Sequence, residues 1–332
     1  MERAPTVRLA LDEAETLCRE AAMRAGASRP QAEALARSVA AAEAEGNASV
    51  GLAHLLDYLD AIRAGRLKGQ AEPKLERPAP ALFLSDAGGG SAHLGFERAL
   101  GDLAAAAKTL GLALFSQKNA FTCGALGYFA ARLAEHDLVA LAATNGPALL
   151  AVPGAKQSIY CTNPLSFAAP LEGGPPLLFD QSSSPLAFVK LREMAACGET
   201  LPEGWAIDVD GEPTADARAA VKGALLAFGG PRGANIALMV EVLAAGLSGA
   251  NWSLDAPSFS SGEDCPGTGL FVLALAPALL DPDFTARMKA QAERLDALGV
   301  HVPGRRRAEA LARAEREGLF VSRALIDKIA AA

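Results

Sequence analysis

The sequence predicts an α/β fold whose helical ends fold back on each other around a strand-rich middle. Three observations carry this. Residues 11–65 place apolar side chains at helical spacing. From about residue 80 short apolar runs alternate with amphipathic stretches, and residues 282–332 return to helical spacing. The expected division is an N-terminal helical part at 1–78, an α/β unit at 79–281, and C-terminal helices at 282–332 that pack with the first part.

The first helix rests on Leu11, Ala14, Leu17, Cys18 and Ala21, and Gly-Ala-Ser at 26–28 breaks it. Ser28 and Gln31 bracket Pro30 in a capping-box pattern, which opens a second helix running to about Glu45. Leu52, Leu55, Leu56, Leu59 and Ile62 share one face of a third helix that stops near Gly65. "PALFLSDAGGG" then reads as a strand ending in a glycine turn, and "HLGFERALGDLAAAAKTLG" as the next helix. "LALFS", "LVALAATN" and "LSFAAPL" are short buried strands, with "CGALGYFAARLAEHD" a helix between the first two. "PPLLFDQSSSP" is a strand ending at Asp180, "IALMVEVLAAGLSG" an apolar helix, and "GLFVLALAP" a further strand. Three helices close the chain: "DFTARMKAQAERLDALG", "AEALARAEREG" and "SRALIDKIAAA".

Composition narrows the function classes. With 51% hydrophobic and 21% charged residues, the chain has the make-up of a soluble globular protein. A net charge of -7 argues against a nucleic-acid surface. No apolar run reaches the roughly 18 residues of a membrane span. The opening "MERAPTVRLALDEAETLCRE" lacks the apolar core of a secretory signal, so a cytoplasmic location is expected. Cys18, Cys123, Cys161, Cys197 and Cys265 are widely spaced, and with the four histidines they form no CxxC or HxxxH pair. Neither a disulfide framework nor a metal site is expected.

Three loops have unusual chemistry. In "KNAFTCGALGYFA" (118–130) small residues precede a helix, where free N–H groups suit a phosphate or carboxylate, although Gly124 equally suits a loop tightened for packing. In "GGPRGANIALMVEVL" (229–243) glycines surround Arg232, an anion fork or a solvated side chain. In "HVPGRRRAEA" (301–310) Arg305, Arg306 and Arg307 enter a helix and oppose its dipole, which suits an anionic partner, although a surface charge run is the commoner explanation taken alone. No GxGxxG follows a strand, and neither a P-loop nor a GxSxG elbow is present. A dinucleotide, if bound, is not held by the Rossmann fingerprint.

Taken together, "YLDAIRAGRL", "CGALGYFAARLAE", "TNPLSFAAP", "FDQSSSP", "GETLPEGWAIDVDGEPTADARAA", "GGPRG", "LMVEVL" and "VPGRRR" resemble, in order and spacing, the malate/L-lactate dehydrogenase-like family. The resemblance spans nearly the whole chain, and "LPEGWAIDVDGEPT" is its most specific part. This family is unrelated to the Rossmann-type lactate and malate dehydrogenases. The resemblance implies a homodimer with a non-Rossmann, mixed-sheet cofactor- and substrate-binding domain, flanked by a helical domain made from both termini. It also implies hydride transfer between NADH or NADPH and a small-molecule carboxylate substrate. That substrate is a 2-oxo or 2-hydroxy acid of the malate, lactate or sulfolactate type. Two alternatives are a cyclic 2-imino acid, such as Δ1-pyrroline- or Δ1-piperideine-2-carboxylate, and a catalytically silent nucleotide-binding relative.

The same resemblance assigns roles to residues. Thr122, Cys123, Gly124, Ala125 and Leu126 match the loop and helix start against the cofactor. Asp180, Gln181 and Ser182 match the strand end that holds it. Arg232 and Gly233 match a cofactor-contacting pair, with arginine where lysine is usual. Gly304, Arg305 and Arg306, continuing to Arg307, match a late anion-binding turn. Thr162 matches a substrate-contacting threonine.

The substrate segment departs from the family's Ser-His-Gly-x-x-Arg pattern. Here it reads Ser49-Val50-Gly51-Leu52-Ala53-His54, so Val50 stands in the proton-donor position and His54 in that of the carboxylate clamp. Hydride addition to a ketone forms an alkoxide that must be protonated, a step to which a placed acid contributes ~10²–10⁴-fold. Valine donates nothing. Ser49, a water or His54 is left to substitute, and His54 lies one helical turn beyond Val50. A protonated imine accepts hydride without an acid, so loss of the histidine is tolerated better by C=N than by C=O chemistry. Ser49 as a helix cap and His54 as a packing residue are the plain structural readings.

Overall fold

The structure, a computed structural model, describes residues 5–332, so the first four residues of the expected 1–78 part lie outside it. From the N-terminus run β1 (Thr6–Leu9), α1 (Leu11–Arg24), α2 (Arg29–Ala44) and α3 (Leu52–Arg63). Next come β2 (Lys74–Ala79), β3 (Leu82–Asp86), α4 (Ala92–Leu110), β4 (Leu112–Ala120), α5 (Gly127–Ala134) and β5 (Val139–Thr144). The following stretch holds β6 (Leu150–Ala151), β7 (Leu165–Leu171), β8 (Gly174–Gln181), α6 (Phe188–Cys197), β9 (Ala206–Ile207) and α7 (Ala217–Lys222). It continues through β10 (Ala224–Leu226), α8 (Pro231–Glu241) and β11 (Thr268–Leu275). The chain ends with α9 (Phe284–Ala297), α10 (Arg305–Glu317), β12 (Leu319–Ser322) and α11 (Arg323–Ala331).

Seven strands form one sheet in the order β2-β3-β4-β11-β5-β7-β8. Only β3 and β4 pair in parallel; every other neighbouring pair is antiparallel. The sheet is therefore mixed. Alternation along β4 and β11 turns Phe115, Leu270 and Val272 into a core shared with Phe96 and Leu103 of α4 and Phe129 and Leu133 of α5. A second, three-stranded sheet (β6-β10-β9) carries its own apolar cluster with α6, α7 and α8.

The two chain ends meet. β1 pairs antiparallel with β12, and the apolar cluster of α1–α3 takes in Ala314, Leu319, Val321 and Ile329. β12 falls between two segments that read as helices, and its four residues are too few for a periodicity signal. The expected capping box at Ser28 is only half formed. Ser28 Oγ accepts the Gln31 N–H, but the Gln31 side chain turns away, donating to Ala71 O at 2.8 Å and accepting from the Ser91 hydroxyl at 2.8 Å. The glutamine joins α2 to the loop before α4, where two buried polar groups need partners. α5 begins at Gly127, leaving residues 122–126 as loop.

Candidate active site

One cleft of about 1200 Å³ opens among α3, the 121–126 loop, the approach to β7, the end of β8, α6 and the start of α10. Its lining brings together Ser49, Val50, His54, Thr162 and Arg306 with Thr122, Cys123, Gly124, Ala125 and Leu126, and with Asp180, Gln181 and Ser182. Arg232, Gly233, Gly304 and Arg305 lie outside the lining. Arg232 is exposed on the first turn of α8. A Cβ at Gly233 would fall 2.1 Å from Phe228 O, so glycine there lets α8 close on its own preceding loop. Gly304 has φ +95°, and a Cβ on it would lie 2.8 Å from the Leu178 amide nitrogen of β8. Arg305 is ion-paired with Asp296.

At one end of the cleft sits a three-charge cluster. Arg307 reaches Glu45 at 3.7 Å and Asp180 at 3.9 Å, and its Nη1 is buried with no hydrogen-bond partner. Burial pushes the Asp180 carboxyl up, against the Gly127 N–H and Arg307, which pull it down. Burial likewise raises Glu45 against Arg307. Asp180 accepts the Gly127 N–H at 2.8 Å, so the protein's own carboxylate occupies the first turn of α5. The amide groups of Thr122, Gly124 and Ala125, just before it, donate to no acceptor among the described residues.

The segment from Asn47 to Tyr58 contributes Asn47, Ser49, Val50, His54, Asp57 and Tyr58 to the same lining. Ala48–Val50 is a single helical turn, with Val50 N–H on Asn47 O at 3.1 Å. Ser49 does not cap α3. Glu43 of α2 does so, its Oε2 accepting the Leu52 N–H at 2.8 Å, while the Ser49 hydroxyl lies 3.3 Å from Asn47 Oδ1. A Cβ at Gly51 would stand 2.2 Å from that Glu43 oxygen, which explains the glycine. Val50 is partly exposed in the cleft and presents no polar side-chain atom.

His54 belongs to a side-chain network with Asp57 and Arg192. Its Nδ1 lies 3.1 Å from Asp57 Oδ2, and the same oxygen accepts from Arg192 Nη1 of α6 at 3.4 Å. His54 above all, with Arg192, holds the Asp57 carboxyl below its ordinary range against the opposing effect of burial. His54 stands edge-on to Tyr58, whose buried hydroxyl has no partner among the described residues.

Thr162 is held by what surrounds it. Its carbonyl accepts the Ser183 N–H at 2.7 Å, and the next residue, Asn163, takes φ +37°. Asn163 Nδ2 donates to Glu241 Oε2 at 2.8 Å. Glu241 also accepts the Ser253 N–H at 2.6 Å and hydroxyl at 2.8 Å, and that hydroxyl oxygen accepts the Cys161 N–H at 3.0 Å. One buried carboxylate thus ties the Thr162 segment to the 253 loop. Burial pushes the Cys123 and Cys161 thiols up to about 12 and about 11, so neither is a thiolate nucleophile near neutral pH. No cluster of three or more metal-ligating side chains occurs among the described residues.

Sequence reasoning missed Glu45, Asp57, Arg192 and Glu241. Glu241 did carry a signal, a lone carboxylate inside an apolar helix, which burial makes costly unless it is fully bonded. Arg192 carried none, because its place beside α3 depends on how residues 150–227 fold.

The profile of the family described as malate/L-lactate dehydrogenase matches residues 9–330. The chain is 37% identical over 325 residues to the (2R)-3-sulfolactate dehydrogenase (NADP(+)) of Chromohalobacter salexigens, covering 97% of each. It is 35% identical over 332 residues to the Delta(1)-pyrroline-2-carboxylate reductase of Ancylobacter novellus, covering 98% of this chain and 97% of that one. Its structure superposes on the crystal structure of delta1-piperideine-2-carboxylate reductase from Pseudomonas syringae pv. tomato with a TM-score of 0.94 at 32% identity, over 98% and 99% of the two chains. The family match over residues 9–330, with relatives 37% and 35% identical over nearly the full length, places the chain in the malate/L-lactate dehydrogenase family.

Proposed function

We propose that the chain is an NAD(P)H-dependent oxidoreductase acting on a small acid with C=O or C=N beside its carboxylate. The carrying observation is one cleft whose lining brings the 122–126 loop and the Arg307–Asp180 cluster together with Ser49, His54 and Thr162. The residues fit a dinucleotide. Arg307, ion-paired with Glu45 and Asp180, stands in the cleft, and the Thr122, Gly124 and Ala125 N–H groups of the same lining donate to no acceptor among the described residues. The volume exceeds the roughly 300–1,000 Å³ of ordinary small-ligand pockets. Thr122–Leu126, Asp180–Ser182 and Arg306–Arg307 would hold NADH or NADPH, and Ser49, His54 and Thr162 would face the acid. When bound, the reduced nicotinamide supplies the hydride.

The main reading is a 2-oxo/2-hydroxy acid of malate, lactate or sulfolactate type, in line with the sulfolactate dehydrogenase named above. Val50 favours the second reading, a cyclic 2-imino acid, because a protonated imine needs no proton donor. The 37% relative and the 35% relative divide along the same line. In this reading residues 79–281 form a non-Rossmann cofactor- and substrate-binding unit, to whose sheet β2 (Lys74–Ala79) adds an edge strand, while the rest of 1–78 and 282–332 form a helical unit from both termini. The exposed apolar side chains Leu238, Val242, Leu247, Trp252 and Leu254 support a homodimer. The location is cytoplasmic, with no membrane or nucleic-acid partner; no helix of the described residues is long and apolar enough to cross a membrane.

The test is oxidation of NADH and NADPH with pyruvate, oxaloacetate, sulfopyruvate, Δ1-pyrroline-2-carboxylate and Δ1-piperideine-2-carboxylate. Turnover with any oxo acid supports the main reading, and turnover with imines alone supports the second. Cofactor binding without turnover marks a catalytically silent relative.

A further inference from the structure

The acid substrates of the proposed reaction share a carboxylate, and a carboxylate in a cleft needs a cationic partner. The cleft lining offers four arginines, Arg66, Arg192, Arg306 and Arg307, besides His54. Arg307 is taken by Glu45 and Asp180, and Arg306 adjoins it on α10. Arg66 spends Nη1 on Gly262 O, and its Nε is buried. Arg192 differs. It comes from α6, which packs against the Ala48–Val50 turn, and its one protein acceptor is Asp57 Oδ2. A guanidinium carries five N–H donors, so most of this fork stays open to a ligand. Its side chain is 49% exposed, enough for a small anion to reach it.

Resting on the oxidoreductase reading, we infer that Arg192 is the substrate-carboxylate clamp of this enzyme, oriented by Asp57, which also holds His54 at the same end of the cleft. Asp57 holds the Arg192 guanidinium in place until the acid arrives. His54 stands in the same lining, its Nδ1 committed to Asp57. The clamp comes from α6 instead of α3, so substrate binding draws α6 and α3 into one charge network.

The test uses the full-length protein saturated with oxidised cofactor and two planar probes, pyrrole-2-carboxylate and pyrrole-2-carboxamide, with binding read by calorimetry. Wild type is expected to prefer the acid. Arg192→Gln should weaken acid binding by about 10- to 100-fold, as for loss of a charged hydrogen bond, and leave amide binding within about 2-fold. Arg192→Lys should restore part of the acid preference. In turnover the Arg192→Gln defect should fall on KM more than on kcat. Equal weakening of acid and amide, or an undiminished acid preference in Arg192→Gln, overturns the assignment while leaving the oxidoreductase reading intact. A wild type that binds cofactor but neither probe overturns that reading of the cleft, and this inference with it.

Discussion

Val50 is the residue on which the choice between ketone and imine turns. It sits in the cleft on the turn before α3, one helical turn from His54, and it has no proton to give. Val50→His should raise kcat for a 2-oxo acid roughly 10- to 100-fold, part of the range a placed general acid supplies. Reduction of a cyclic imine should change far less. An unchanged or lower kcat on the oxo acid would show that Val50 does not stand where a proton is delivered. The substitution itself was legible, since Ser49 and Gly51 frame it. What replaces the missing groups was not. Asp57 and Arg192 are separated by 135 positions, and nothing in local spacing joins them. Ser49 as a helix cap was a reasonable expectation that failed, because Glu43 on a neighbouring helix reaches the same N–H.

Among elements, α4 and α5 pack through an unusual group. His93 is fully buried, stacked on Phe129, and both ring nitrogens lack partners among the described residues. Burial above all lowers its pKa from 6.5 to about 4. Between those values the unfolded chain takes up a proton that the folded one refuses. The histidine's contribution is therefore present at neutral pH and lost as pH falls from 6.5 towards 4, by up to about 3 kcal/mol. The carboxyls of Glu43, Glu45 and Asp180 are raised by burial and act with the opposite sign, losing stability as pH rises through their folded values. His93→Phe keeps the ring stack and removes only the first effect. The difference in unfolding free energy between wild type and His93→Phe, from urea titrations, should change across that acid window; a constant difference would contradict the account. The long helices were readable because 14 to 19 residues repeat the 3.6-residue period several times. The short strands β6, β9 and β12 were not, since two to four residues carry no period and their pairing is non-local.

For the whole molecule, mixed strand pairing and the meeting of the two chain ends set where the cleft lies. β1 and β12 bring α10 beside the cleft, so Arg306 and Arg307 line it together with α3, more than 240 positions away in sequence. Alternating helix and strand signals made the α/β class legible, but strand order and the two parallel pairs, β3–β4 and β6–β10, needed the fold. The exposed apolar group around α8 leads to a further expectation at this scale. Sedimentation should give a dimer, and Leu247→Glu should shift it towards monomer; a monomeric wild type would remove the interface from the account. In the proposed function, one cleft holds a reduced nicotinamide dinucleotide against a small acid closely enough for direct transfer. Turnover with cofactor deuterated at the transferring position of the nicotinamide tests this most directly, with the product read by mass spectrometry and NMR. One deuterium is expected at the carbon beside the carboxylate. Product without deuterium, or no product from any 2-oxo or 2-imino acid, would contradict it.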